Sequence, residues 1–173
     1  MNETIKTLLT RRSVRKFKPR QVTDEELKAV IDAGLYAPSG ADRQSSLFIV
    51  VQEKETLKKL AAMNAAVMGG SGNPYYDAPA VILVLADKNG NTHIEDASLA
   101  IGNMCNAAAA LGLGSCWIHR ERQMFESAEG RALIKSWGVN DDYVGVGSCI
   151  LGYPDGPIPE ASPRKDGRVI HVR

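Results

Sequence analysis

A chain of 173 residues, 44% hydrophobic and 24% charged, has the composition of a globular protein and is long enough to bury a substantial core. Lys+Arg is 21 against Asp+Glu 20, a net charge of +1, which argues against a nucleic-acid binder because that class carries a strong basic excess. No apolar run reaches membrane-spanning length, and Met1 to Leu9 is too short and polar for a secretory signal, so a cytoplasmic location without a membrane partner is expected.

Glu3 to Leu9 is expected to form a short helix with Ile5, Leu8 and Leu9 on one face. Arg11-Arg12-Ser13-Val14-Arg15 follows directly. Its guanidinium forks and hydroxyl fit the oxygens of an anion, most simply a phosphate; the alternative is a solvated basic patch. Thr23-Asp24-Glu25-Glu26 reads as a capping box, and Leu27, Val30 and Ile31 carry a helix to about Gly34. Leu35 to Ser46 is expected to be a loop of small and polar residues. Leu47 to Val51 reads as a buried strand, Lys54 to Val67 as a helix, Met68 to Pro74 as a glycine-rich loop and Ala80 to Leu85 as a second buried strand.

The longest expected helix runs from about Asp96 to Leu111. It is apolar nearly all round, which predicts burial on several sides, and Gly112 and Gly114 end it. Ser115 to Ile118 reads as a short strand, Gln123 to Trp137 as two helical turns and Tyr143 to Leu151 as a strand. Beyond Gly152, Pro154, Pro157, Pro159 and Pro163 forbid regular helix, while Arg168 to Arg173 alternates as a strand would. No repeat or second domain is visible, so residues 1–173 are expected to form one domain with an extended C-terminal arm at 152–173, packed on something distant such as a partner subunit.

Cys105, Cys116 and Cys149 are far apart in apolar settings and read as reduced core residues. His93, His119 and His171 lack metal-ligand spacing, so no metal site is expected. No phosphate-cradling glycine loop or nucleophile elbow is present. What remains is a set of donors: the Arg cluster, Ala37 to Gln44, and Pro163-Arg164-Lys165. Donors without a nucleophile or metal fit a protein that holds a reactive cofactor and leaves the chemistry to it.

The order of these motifs resembles the FMN-dependent nitroreductase family. The resemblance is carried by Arg11-Arg12-Ser13-Val14-Arg15, by Ala37-Pro38-Ser39 with Gln44 before a strand, and by the alanine-rich helix entering Gly112-Leu113-Gly114-Ser115-Cys116-Trp117-Ile118. Leu151-Gly152-Tyr153-Pro154 and Pro163-Arg164-Lys165 complete it. It implies an α+β fold, a three-layer α/β/α sandwich with a mixed, mostly antiparallel sheet. It also implies a homodimer with FMN at the subunit interface, and transfer of reducing equivalents from NADH or NADPH to nitroaromatics, quinones or similar acceptors by ping-pong chemistry. Arg11, Arg15, Arg164 and Lys165 match phosphate-binding positions, and Arg12 and Ser13 match positions near the ribityl and phosphate region. Pro38, Ser39 and Gly40 match a segment that reaches the flavin from the other subunit; Asp42 and Gln44 follow it. Trp117, Ile118 and His119 match the segment beside the flavin ring. No catalytic side chain is required, with His119 a possible proton donor.

One departure bears on redox tuning. The family usually reads Asn-x-Gln-Pro-Trp where this chain reads Asp42-Arg43-Gln44-Ser45-Ser46. An ionised Asp42 near the ring would disfavour anionic reduced flavin, with Arg43 as a candidate counter-charge. The altered loop motivates an alternative: a non-catalytic flavin-binding or redox-sensing protein.

Overall fold

The computed structural model describes residues 1–173. In chain order the elements are α1 (Glu3–Thr10), α2 (Asp24–Leu35), β1 (Ser46–Val51), α3 (Lys54–Val67), β2 (Ala80–Asp87), α4 (His93–Ala110), β3 (Gly114–Ile118), α5 (Glu121–Glu126), α6 (Ala128–Ser136) and β4 (Tyr143–Gly152). A single 3-10 turn at Gly40–Asp42 interrupts the loop between α2 and β1. The capping box forms as the sequence predicts: the Thr23 hydroxyl accepts the Glu26 N–H and the Glu26 carboxylate accepts the Thr23 N–H. No helix is long and apolar enough to cross a membrane.

The strands form one sheet in the order β1-β2-β4-β3, and every neighbouring pair is antiparallel. The parallel component of the expected mixed sheet is reduced to a single bridge between Ser13 and Ser115, which docks the Arg segment on edge strand β3. Central strand β2 explains the layering. Ala80, Ile82, Val84 and Ala86 face one core with α2 and α4; Val81, Leu83 and Leu85 face the other with α3, α5 and α6. Both faces are fully buried, so β2 reads as a continuous apolar run without alternation. Burying each of its Leu, Ile and Val side chains contributes about 1.5–3 kcal/mol relative to exposure.

On β4 the register slips between Val84 and Leu85 of its partner, so Val146 is the extra residue of a bulge flanked by Gly145 and Gly147. The two glycines are required by close approach. A Cβ at Gly145 would run into the Glu121 carbonyl, and one at Gly147 would lie 2.7 Å from the Trp117 indole nitrogen. The bulge therefore seats both the start of α5 and the Trp117 side chain.

The arm departs from its expected strand. Tyr153 donates to the Glu26 carboxylate at 2.5 Å, Pro154 bridges to Phe17, and Asp155 pairs with Lys16 at 3.0 Å. From Gly156 to Arg173 the chain is exposed, and Arg168 to Arg173 forms no strand. A strand needs a sheet edge to pair with, and within this chain the arm meets none.

Candidate cofactor-binding site

The Arg segment begins where α1 ends. Arg12 turns back to donate to the carbonyls of Leu9 (2.9 Å) and Arg11 (2.6 Å), satisfying groups that a helix C-terminus leaves unpaired. Its Nη1 thus serves the end of the helix, while its buried Nε has no partner within the chain. Val14 points inward against Gly114, and its N–H donates to Ser115 at 2.9 Å. The alternation that buries Val14 turns Ser13 and Arg15 outward. Arg11 and Ser13 open onto a cleft of about 630 Å³ with Leu8, Ile101, Cys105 and Trp117. Arg15 stands outside it, its guanidinium 5.8 Å from the Tyr76 ring. Neither Arg11 nor Arg15 has a carboxylate partner within the chain. Unpaired guanidinium charge beside a cleft suits a phosphate.

Trp117 is 57% exposed although it lies mid-strand, and the His119 ring is 5.7 Å away at a 55° tilt. Ile118, between them, is buried in the opposite core, so this segment presents Trp117 and His119 at the surface.

Pro38, Ser39, Asp42 and Gln44 line a second cleft of about 770 Å³ with Leu35, Tyr36, Phe48 and Asp96. The backbone there is strained. Ala41, Asp42 and Gln44 have φ of 52°, 53° and 50°, a left-handed conformation costing about 1–3 kcal/mol at each non-glycine residue. Asp96 holds it in place. Its buried carboxylate accepts the Gly40 N–H at 3.0 Å, the Thr92 hydroxyl at 3.2 Å and the Ser45 hydroxyl at 3.4 Å. Gly40 is needed because a Cβ would overlap the Thr92 hydroxyl. Gln44 donates its side chain to Asp42 at 3.0 Å and its N–H to Ser39 at 3.1 Å, so the partner of Asp42 is Gln44 and not Arg43.

The two clefts flank α4. At about 100° per residue, Asp96 and Ala100 fall on one side of the helix and Ser98, Gly102 and Cys105 on nearly the opposite side. Ala97, Ile101, Met104 and Ala108 occupy the stripe between them, buried in the core. Within one chain a ligand in one cleft is separated from the other by the helix itself. Arg164 and Lys165 line neither cleft.

Two acidic residues escaped the sequence reading. Asp96 looked like an ordinary first-turn acid of a helix. Glu121 lies fully buried behind β3, accepting from Ser148 at 2.6 Å and Tyr75 at 3.2 Å while its Oε2 has no partner. Burial pushes the Glu121 carboxyl up to about 7 against the opposing effect of these bonds. Burial and the same carboxylate raise the Tyr75 phenol. Tyr75 thus belongs to the core, whereas Tyr76 stays at the surface beside Arg15. Beside Glu121, Asn64 accepts from Arg120 and donates to the His119 carbonyl, both at 2.9 Å, fixing the turn after β3.

Residues 8–156 match the family model described as the nitroreductase family. A provisionally named NADH dehydrogenase/NAD(P)H nitroreductase of Archaeoglobus fulgidus is 35% identical over 162 residues, 89% of this chain and 87% of that protein. An NADPH-flavin oxidoreductase of Vibrio harveyi is 30% identical over 98% of this chain and 73% of its own length. The crystal structure of a nitroreductase with bound FMN from Bacteroides fragilis superposes with a TM-score of 0.92 at 29% identity, covering 100% of both chains. With its sheet, its unpaired guanidinium cluster and this likeness over nearly its whole length, the chain belongs to the nitroreductase family.

Proposed function

We propose that this protein is an FMN-dependent oxidoreductase that takes reducing equivalents from NADH or NADPH and passes them to electron-poor acceptors such as nitroaromatics and quinones. The observation that carries the proposal is the pair of clefts on opposite flanks of α4, one offering Arg11, Ser13 and Trp117, the other Pro38, Ser39 and Gln44. A two-fold axis that sets one cleft of a protomer against the other cleft of its partner would complete a site from both. The exposed Leu8, Leu9, Leu35, Tyr36 and Leu99 give such a homodimer an apolar surface to bury.

The residues present fit FMN. Arg11 and Ser13 would hold its phosphate, with Arg15 and the arm's Arg164 and Lys165 as further cations. The Trp117 indole offers an apolar wall for its ring. Bound there, FMN would supply two-electron transfer between a nicotinamide donor and an acceptor. The protein's part is to hold the phosphate, leave the cleft open to exchanging substrates, and set the charge at its edge through Asp42.

The test is spectroscopic. The purified protein should be yellow, its flavin absorbance should bleach on anaerobic addition of NADH or NADPH, and a quinone should restore it. A flavin that stays oxidised favours the non-catalytic flavin-binding reading; a colourless protein that takes up no FMN overturns both.

A further inference from the structure

Cys105 and Cys149 lie 3.8 Å apart, sulfur to sulfur, between α4 and β4. Cys105 is 5% exposed and forms part of the wall of the cleft that holds Arg11 and Ser13; Cys149 is fully buried behind it. Cys116, the third cysteine, belongs to the core on the other sheet face. We propose that Cys105 and Cys149 are a hydroperoxide-reactive thiol pair, with Cys105 the sulfur that meets the oxidant and Cys149 the sulfur that resolves it into a disulfide.

The surroundings support this division. A hydrogen bond from Cys149, with smaller help from Ser115 and the Arg11 charge, holds the Cys105 thiol below its usual range. Its hydrogen bond with Cys105, and then burial, push the Cys149 thiol up. An electropositive, cleft-facing thiol is the reactive kind, and a second thiol in contact limits oxidation to a reversible product. In the first step the Cys105 sulfur attacks a peroxide oxygen; an S–O bond forms, the O–O bond breaks and an alcohol or water leaves. In the second the Cys149 sulfur displaces the hydroxyl; an S–S bond forms, the S–O bond breaks and the Cys149 proton departs with it as water. Two thiols lose two electrons and one hydroperoxide gains them. The sulfurs must close by a little under 2 Å to reach a disulfide bond length of about 2.05 Å.

The role of FMN as a shield rests on the function proposed above. With FMN in the cleft Cys105 is covered, so at FMN one hundred times its Kd oxidation should slow about 100-fold by mass action. The experiment treats FMN-loaded and FMN-stripped protein with hydrogen peroxide, unfolds it in N-ethylmaleimide and maps the peptides by mass spectrometry. The expected product links the Cys105 and Cys149 peptides, with Cys116 alkylated, and forms far faster in stripped protein. In Cys149→Ala a dimedone adduct should collect on Cys105 instead. Equal rates with and without FMN would support the thiol pair and remove the flavin from this cleft. Three alkylated cysteines in both forms, or Cys105 over-oxidised without a link to Cys149, would overturn the proposal whatever the flavin does.

Discussion

Arg11 carries the most charge for its position. It lies on the cleft with no carboxylate beside it, whereas Arg12 turns its Nη1 to the end of α1 and Arg15 leans on Tyr76. Arg11→Ala should weaken FMN binding by about 1.5–3 kcal/mol, the usual worth of a hydrogen bond to a charged group, or roughly ten- to a hundredfold in Kd. A flavin titration that gives an unchanged Kd would move the phosphate elsewhere. Asp42 tests the redox side. If its carboxylate stands near the ring of a bound flavin, Asp42→Asn should raise the flavin reduction potential, because a nearby negative charge opposes electron uptake. A potential that holds still would place Asp42 away from the ring. Glu121 makes stability depend on pH. Its folded pKa of about 7 lies above the value in an unfolded chain, so the folded state binds the extra proton. That contribution is complete in acid, fades as the pH rises from about 4.5 and is gone above about 7. The whole effect is on the order of 3 kcal/mol at most. Glu121→Gln keeps the neutral shape, so its urea midpoint should exceed that of the native protein at pH 8 and match it more closely at pH 5. Equal midpoints at pH 8 would mean that burial does not raise the Glu121 pKa.

Among the elements, α4 does the most. Its buried stripe anchors the sheet, its two flanks make two clefts, and its first turn supplies Asp96 to hold a strained loop. Asp96→Ala removes the acceptor of three donors at once, and the Ala41, Asp42 and Gln44 conformations then lose their main tie. Gly40 and Ser45 are half-buried and Thr92 is exposed, so water takes over part of the lost bonding and each donor costs less than the about 1–3 kcal/mol of a fully buried unpaired group. We expect a lower melting temperature together with faster proteolysis between Ala37 and Ser45. Unchanged cleavage there would show the loop is held by other means. The capping box of α2 and the buried apolar run of β2 were legible in the sequence because each is set by neighbours a few residues away. The clamp on the loop was not, since it joins Gly40 and Asp96 across 56 positions of chain.

At the scale of the whole molecule the arm bears on assembly. Residues 153–155 are tied to their own protomer through Glu26, Phe17 and Lys16, but Ile158, Val169, Ile170 and Val172 are exposed beyond them. An extended segment with exposed branched apolar residues gains by adding itself to another copy. Deletion of residues 156–173 should therefore leave the fold intact while weakening both the proposed dimer and its flavin retention. A truncated chain that elutes from size exclusion as a yellow dimer would refute that role for the arm.

The helices, most of the strands and the basic cluster after α1 could be read from the chain because periodicity, caps and charge are local properties. The family resemblance added the order in which such pieces belong. Only the folded structure decided that Arg12 would cap its own helix, that Asp42 would pair with Gln44, that Glu121 would be buried with a raised pKa, and that Cys105 would touch Cys149. Each of these depends on which distant segments meet across the sheet or around α4, and burial, which decides whether a carboxyl or thiol keeps its proton, exists only once they have met.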